Sequence, residues 1–323
     1  MNISDVAGAQ MAIAPEPGIE PDPAIAPDPA IAPDLAIEPD LAIEPGIEPE
    51  PAVPQEKGAR RALFVRSVLP PALVFVAFVG AWYFASYVLL SPDERFLVPP
   101  PHQVVDVGFL NHDNLLELLA ALWRSTVVAM IGLAISIVIG MAQAIAMSQA
   151  VWIERSLFPW AVVLQCIPIL AMVPLIGFVF DFGFTARLIV CVLISLFPII
   201  ANTLFGLKSV DRGHHDLFSL HGAGRWTRLR KLQLPAALPA IFAGLRISAG
   251  LAVVGAIVGD FFFKQGDPGI GILIDNYRAR IQSEQLYAAI ILASLLGVVV
   301  FWIFGFIGQR AVGRWHDTSA DHG

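Results

Sequence analysis

Of the polar side chains inside the long apolar stretches of this 323-residue chain, Gln143, Gln165, Asn202, Arg246 and Asp260 stand out. An amide or a charge in hydrocarbon is costly, so such residues are candidates for a transport path, an internal ion pair or an interhelical hydrogen bond. Gln165, Asn202, Arg246 and Asp260 are the candidates for a translocation path. Arg246 lies a turn or two inside its stretch and could instead snorkel to the membrane surface. It is separated from Asp260 by about 20 Å of helix at 1.5 Å per residue, so the two cannot pair within one chain.

The remaining chemistry-bearing residues exclude more than they suggest. His102, His112, His214, His215, His221, His316 and His322 all fall outside the apolar stretches, which disfavours a membrane haem held by paired axial ligands. No Gly-x-x-x-x-Gly-Lys-Ser/Thr occurs, and Lys208-Ser209 lacks the glycine and the run before it that would cradle phosphates. Gly266-Asp267-Pro268-Gly269-Ile270-Gly271 has glycines in suggestive spacing but no strand before it. With no Ser/His/Asp set and no paired carboxylates, the reading is a chain without catalysis, metal or cofactor of its own. Cys166 and Cys191, both in apolar stretches, read as small structural fillers.

The elements that position these residues are membrane helices. The chain is 56% hydrophobic and only 15% charged, with a mean hydropathy of +0.70, and its apolar residues come in blocks. The formal charge of -7 is misleading, because twelve of the 27 acidic residues and none of the 20 basic ones lie in residues 1–56. The remainder is net positive. That first segment repeats a six-residue unit, as in Pro21-Asp22-Pro23-Ala24-Ile25-Ala26, and reads as an extended, disordered, acidic tail. Its acidic start and late first apolar run do not fit a signal peptide.

Six spans are expected, at about 68–90, 126–147, 157–180, 186–205, 241–263 and 286–308, within a domain of residues 57–323. The third, with Pro159, Pro168 and Pro174, should be kinked or broken. If the N-terminus is cytoplasmic, thirteen Lys and Arg fall inside and six outside, namely Arg95, Arg124, Arg187, Lys264, Arg278 and Arg280. This bias predicts a multi-pass protein of the cell membrane with both termini cytoplasmic. Small residues four apart form two stripes, Gly132, Ser136, Gly140, Ala144 and Gly244, Ser248, Ala252, Ala256, which predict close helix contacts.

Between the fourth and fifth spans lies a polar, basic cytoplasmic segment, 211–239. Asp216-Leu217-Phe218, then Gly222, then Leu232-Gln233-Leu234-Pro235 predict a short helix, a sharp turn, a second short helix and a return to the membrane. An acidic residue six before a Gly, with an aliphatic-x-Leu-Pro ending thirteen after it, resembles the cytoplasmic loop of permease subunits in binding-protein-dependent ABC importers. Leu97-Val98-Pro99-Pro100-Pro101, Asn202-Thr203, Gly206 to Asp211, Pro235 to Pro239 with Gly244-Leu245-Arg246, Gly266 to Ile274 and Arg314-Trp315-His316 extend the resemblance over roughly 65–316. They are similar to the nitrate, sulfonate and taurine-type branch.

The resemblance implies an all-α six-span bundle with Asp216, Leu217, Phe218, Gly222, Leu232, Leu234 and Pro235 coupling to a separate ABC ATPase, which binds the ATP. It also implies an extracytoplasmic solute-binding protein, a homodimer in the lipid bilayer with the path on its two-fold axis, and no nucleic-acid partner. Nitrate, a sulfonate or taurine, or a pyrimidine or flavin vitamin precursor are the solutes implied. One departure is visible: the family usually has two alanines after the acidic residue, and here Leu217 and Phe218 imply a matched partner or a changed fit. An ion-coupled secondary transporter and a membrane anchor without transport are the alternatives.

Overall fold

The computed structural model describes residues 57–313, with side chains from residue 69. The repeat tail and the closing Arg314-Trp315-His316 lie outside the described residues. Eleven α-helices are described: α1 (Lys57–Phe84), α2 (Pro101–Val105), α3 (His112–Gln149), α4 (Val151–Cys166), α5 (Ile169–Phe180), α6 (Phe184–Lys208), α7 (Arg212–Leu220), α8 (Arg225–Arg228), α9 (Leu234–Phe262), α10 (Ile270–Ala279) and α11 (Ser283–Val312). Among the described residues there is no strand. Five helical segments are long and apolar enough to cross a membrane, and α4 with α5 makes a sixth if that bent pair counts as one crossing.

Helix α6 sits between α3 and α9, and its contact with α9 is the most extensive in the bundle. The two small-residue stripes explain why. On α3, a Cβ added at Gly132 would lie 2.3 Å from Cys191 Sγ, and one added at Gly140 would lie 2.9 Å from Ile199. Ser136 and Ser195 meet hydroxyl to hydroxyl at 2.8 Å between them. On α9, Gly244 faces Asn202 and the carbonyl of Pro198, and Gly255 faces the backbone of Cys191. All eight stripe residues are buried, and both stripes pack on α6 and meet at Cys191. Lipid is as apolar as leucine, so close backbone packing of this kind, rather than hydrophobic exclusion, holds membrane helices together. Cys191 fills the gap between the stripes, with its thiol 3.3 Å from the carbonyl of Ala252. Cys166 is instead exposed, so the filler reading holds for one cysteine and not the other.

The third apolar stretch is broken, with a bend of 99° between α4 and α5. Pro168 has no N–H to give and pushes the residue before it out of the helical region, and Ile167 is extended at φ −67°, ψ 125°. Helix α3 starts at His112, well before the expected span start near residue 126. Asn111 caps it by accepting from the amides of Asp113 and Asn114, and Asp113, Glu117 and Arg124 end the apolar stretch without ending the helix. At 38 residues it measures about 57 Å, nearly twice the hydrocarbon thickness, so its first turns project beyond the membrane.

The prolines of the 211–239 segment also behave differently from expectation. The second short helix does not stop before the membrane. Residues Arg225–Phe262 run as one rod, through a π-turn at Leu229–Gln233, with Pro235 in the first turn of α9 and Pro239 inside it. The wider π-turn takes up the backbone ahead of Pro235, where a regular helix would clash with the proline ring.

Helix α1 touches the bundle at its C-terminal end, where Trp82 Nε1 donates to the carbonyl of Pro99 and its ring lies 5.5 Å from that of Tyr287. Only 6% of its most apolar window is buried.

Candidate functional site

At one end of the bundle, α7 and α8 meet across a tight turn. Gly222 has φ +64°, its amide donates to Ser219 and the amide of Ala223 donates to Phe218. That pair of bonds is a Schellman cap, which needs a left-handed residue where Gly222 stands. Arg228 donates to the Ser219 hydroxyl at 3.2 Å and fixes α8 against α7. Nothing in α7 is buried. Leu217, Leu220 and Trp226 are 51%, 85% and 72% exposed, an apolar surface among Arg212, Asp216 and Arg225. Phe218 and Leu232 are half-buried, and Leu234 and Pro235 start the rod that becomes α9. The structure therefore gathers Asp216, Leu217, Phe218 and Gly222 on the projecting helix and turn, and sets Leu232, Leu234 and Pro235 where that element joins the membrane helix.

The four polar path candidates do not converge. Gln165 lies exposed in the last turn of α4, beside the break at Ile167-Pro168. Asn202 donates its amide to the carbonyl of Pro198 at 2.8 Å, on the face of α6 that packs on Gly244. Arg246 stacks over the ring of Phe301 on α11, 4.0 Å from its centre. Among the described residues it makes neither an ion pair nor a contact with Asp260.

Asp260 belongs to a cluster at the opposite end. Arg187, expected among the outer-loop cations, is instead buried in the first turn of α6, with Nη1 3.2 Å from Asp260 Oδ1. The pair is Coulombic, because the hydrogen bonds of the guanidinium go elsewhere: Nε to Phe263 O at 2.9 Å, Nη1 to Asp267 O at 3.1 Å and Nη2 to Gln265 O at 2.8 Å. The Ser125 hydroxyl donates to the other Asp260 oxygen and accepts from the amide of Ile270 at 2.8 Å. Arg124 adds a bond to Pro268 O at 3.1 Å. The loop that carries Gly266 to Gly271 is thus tied to α3, α6 and α9 at once. A Cβ added at Gly269 or Gly271 would fall within 2.8 Å of Asp260, and the glycine spacing of this loop reflects that packing.

Further along the same connection, Lys264 and Arg278 flank Asp275 and hold its carboxyl below the usual carboxylate range. Sequence reasoning missed Arg187 and Ser125. The signal for Arg187 was its position just inside the apolar stretch that opens at residue 186, where an uncompensated charge has to find a partner.

A family described as the binding-protein-dependent transport system inner membrane component matches residues 132–313. The formylaminopyrimidine transport permease protein ThiX of Halalkalibacterium halodurans is 32% identical over 72% of this chain and 90% of its own length. The riboflavin transport system permease protein RibX of Chloroflexus aurantiacus is 34% identical over 51% of this chain and 60% of its own. Among solved structures, an inward-facing MetNI methionine ABC transporter chain is covered over 98% of its length and 63% of this one, with a TM-score of 0.54 at 17% identity, which speaks for the fold alone. The match takes in α3 from Gly132 onward, α6, α9 and α11 together with the α7–α8 turn, and the chain belongs to the family of inner membrane components of binding-protein-dependent transport systems.

Proposed function

We propose that the chain is the path-forming half of an importer permease homodimer, moved by a separate ABC ATPase seated under α7 and fed by an extracytoplasmic solute-binding protein. The observation that carries the ATPase docking is the exposed, Schellman-capped α7–Gly222–α8 element. It presents Leu217, Leu220 and Trp226 to a partner while joining a rigid rod, Arg225–Phe262, that runs the depth of the membrane. A push on α7 is passed to α9 through the capped turn and the Arg228–Ser219 bond. In this reading the α7 end is cytoplasmic, as the excess of basic residues there favours, and ATP binds and is hydrolysed on the partner chain.

Gln165, beside the α4–α5 break, and Asn202 are the residues proposed to face the path. Irregular backbone at membrane depth is tolerated where it lines a cavity. Asp260 is proposed to act through the loop it holds. Likeness to permeases named for formylaminopyrimidine and riboflavin puts a vitamin-type heterocycle ahead of nitrate, sulfonates and taurine as the solute.

The test is affinity purification of the tagged chain from its native membrane. An ATPase that co-purifies, and is lost when residues 214–235 are altered, is the expected result. Recovery of the intact chain with no ATPase would point to an anchor or an ion-coupled carrier instead. Uptake of labelled formylaminopyrimidine, riboflavin and nitrate by the recovered system would then choose the solute.

A further inference from the structure

Arg246 lies within a membrane-crossing helix, and among the described residues no carboxylate is within ion-pair distance of it. Its Nε is buried and meets no hydrogen-bond acceptor there. The Phe301 ring covers one face of the guanidinium, but stacking leaves the N–H fork empty. The side chain opens onto a groove of about 410 Å³ between α9 and α11, walled by Pro239, Phe242, Phe304, Gly305 and Val312, with Gln309 as its other polar side chain. A Cβ at residue 305 would come within 3.1 Å of Arg246 Nε, so the glycine keeps the groove open beside the cation.

A second apolar cavity of about 690 Å³ lies against the same two helices, lined by Val254, Val298, Phe301 and Trp302. Phe301 links it to the first groove, because the ring that lines the apolar cavity is also the one stacked on Arg246. A cation thus stands in one groove and hydrocarbon lines its neighbour. In α9, Cβ atoms tilt toward the helix N-terminus, which aims Arg246 at the membrane surface on the Pro239 side.

A protein helix laid in this groove would have to bring a counter-charge. Within the five long apolar segments the acidic residues are Asp113, Glu117 and Glu284, in the first turns of α3 and α11 at the opposite end, and Asp260, already paired with Arg187. The exposed stretch Leu69–Leu89 has none.

We propose that the α9/α11 groove binds an anionic phospholipid, with its phosphate on the fork of Arg246 and an acyl chain running along the apolar groove past Trp302. A phosphodiester supplies the planar, charge-assisted acceptors that a guanidinium fits. The site is separate from the α7 docking surface and from the proposed path residues.

The test places the full-length chain in nanodiscs containing phosphatidylglycerol or phosphatidylcholine with brominated acyl chains. The Trp302 contribution is isolated by difference from Trp302→Phe. Brominated phosphatidylglycerol should quench Trp302 severalfold more than brominated phosphatidylcholine, and Arg246→Gln should erase that preference. Gly305→Leu, which fills the groove and retains the cation, should erase it as well and serves if Arg246→Gln does not fold. Equal quenching by the two lipids in the unaltered chain overturns the proposal, as does a preference that survives both substitutions. No quenching by either lipid would mean that a protein segment fills the groove, and loss of quenching on adding inorganic phosphate would assign Arg246 to a free anion. Either also overturns it.

Discussion

Arg187 of α6 and Asp260 of α9 form the one ion pair among the described residues in which both side chains are buried, 5% and 0% exposed. Each is also bound to the outer connection, Arg187 through three loop carbonyls and Asp260 through Ser125 and the start of α10. The pair is therefore a corner brace. It joins the two most closely packed helices and holds the backbone that leaves one of them.

Removing one partner leaves the other charged and buried, which costs about 3–5 kcal/mol, more than the pair itself contributes. Arg187→Leu should lower the thermal unfolding midpoint of the purified protein sharply. Arg187→Leu with Asp260→Leu should recover part of the loss, because the orphan carboxylate is gone. Two single substitutions that each leave the midpoint unchanged would mean the pair bears no load.

The packing of α6 should be visible in thiol chemistry. Cys191 is fully buried between Gly132 and Gly255, whereas Cys166 is exposed at the end of α4. A membrane-permeant maleimide should modify Cys166 and leave Cys191 untouched until the protein unfolds, as read by mass spectrometry of the two peptides. Gly132→Val should lose stability, since its Cβ has no room beside Cys191. Labelling of Cys191 in the folded protein at the rate of Cys166 would contradict the packing.

Much of this arrangement was legible because it is local. Small residues four apart name a helix face, and both stripes lie against α6. Pro168 breaks its helix through its own ring and its effect on Ile167, and Gly222 stands where a left-handed cap is needed. What hydropathy hides is continuity and partnership. It follows membrane depth, so it started the second span near 126 although α3 begins at His112, and the second short helix expected to close at Pro235 instead runs on into the membrane rod through a π-turn. Arg187 and Asp260 are 73 residues apart in sequence. Nothing in either neighbourhood names the other, and a charge count alone puts Arg187 in a loop.

The acid sensitivity of the outer connection should trace to Asp275. Lys264 and Arg278 favour its ionised form, so its folded pKa lies below the unfolded value of about 3.9. A depressed carboxyl contributes stability that is fully present above the unfolded value and is lost as pH falls through the folded one. Both cations are more than half exposed, so the contribution is modest and screened by salt. Hydrogen exchange of residues 263–282 should hold steady from pH 7 to about 4.5, after correction for intrinsic rates, and protection should fall below that. Asp275→Asn should remove the acid-dependent step. A step centred near neutrality would assign it to another group.

Gly222→Val separates docking from folding. At φ +64° a β-branched side chain is strained by roughly 1–2 kcal/mol, enough to open the cap between α7 and α8. No neighbour lies within 4 Å of a Cβ placed there, so the cost is in the backbone and the membrane bundle is not disturbed. The variant should insert and purify with an unchanged unfolding midpoint for the bundle. If α7 passes the stroke of an ATPase to α9, uptake should fall at least tenfold while ATP hydrolysis by the assembled system persists. Gly222→Asn, which tolerates the left-handed region, should retain most of the uptake. Equal loss in Val and Asn variants would mean that bulk on the docking surface is at fault, and full uptake by the Val variant would remove the cap from the coupling route.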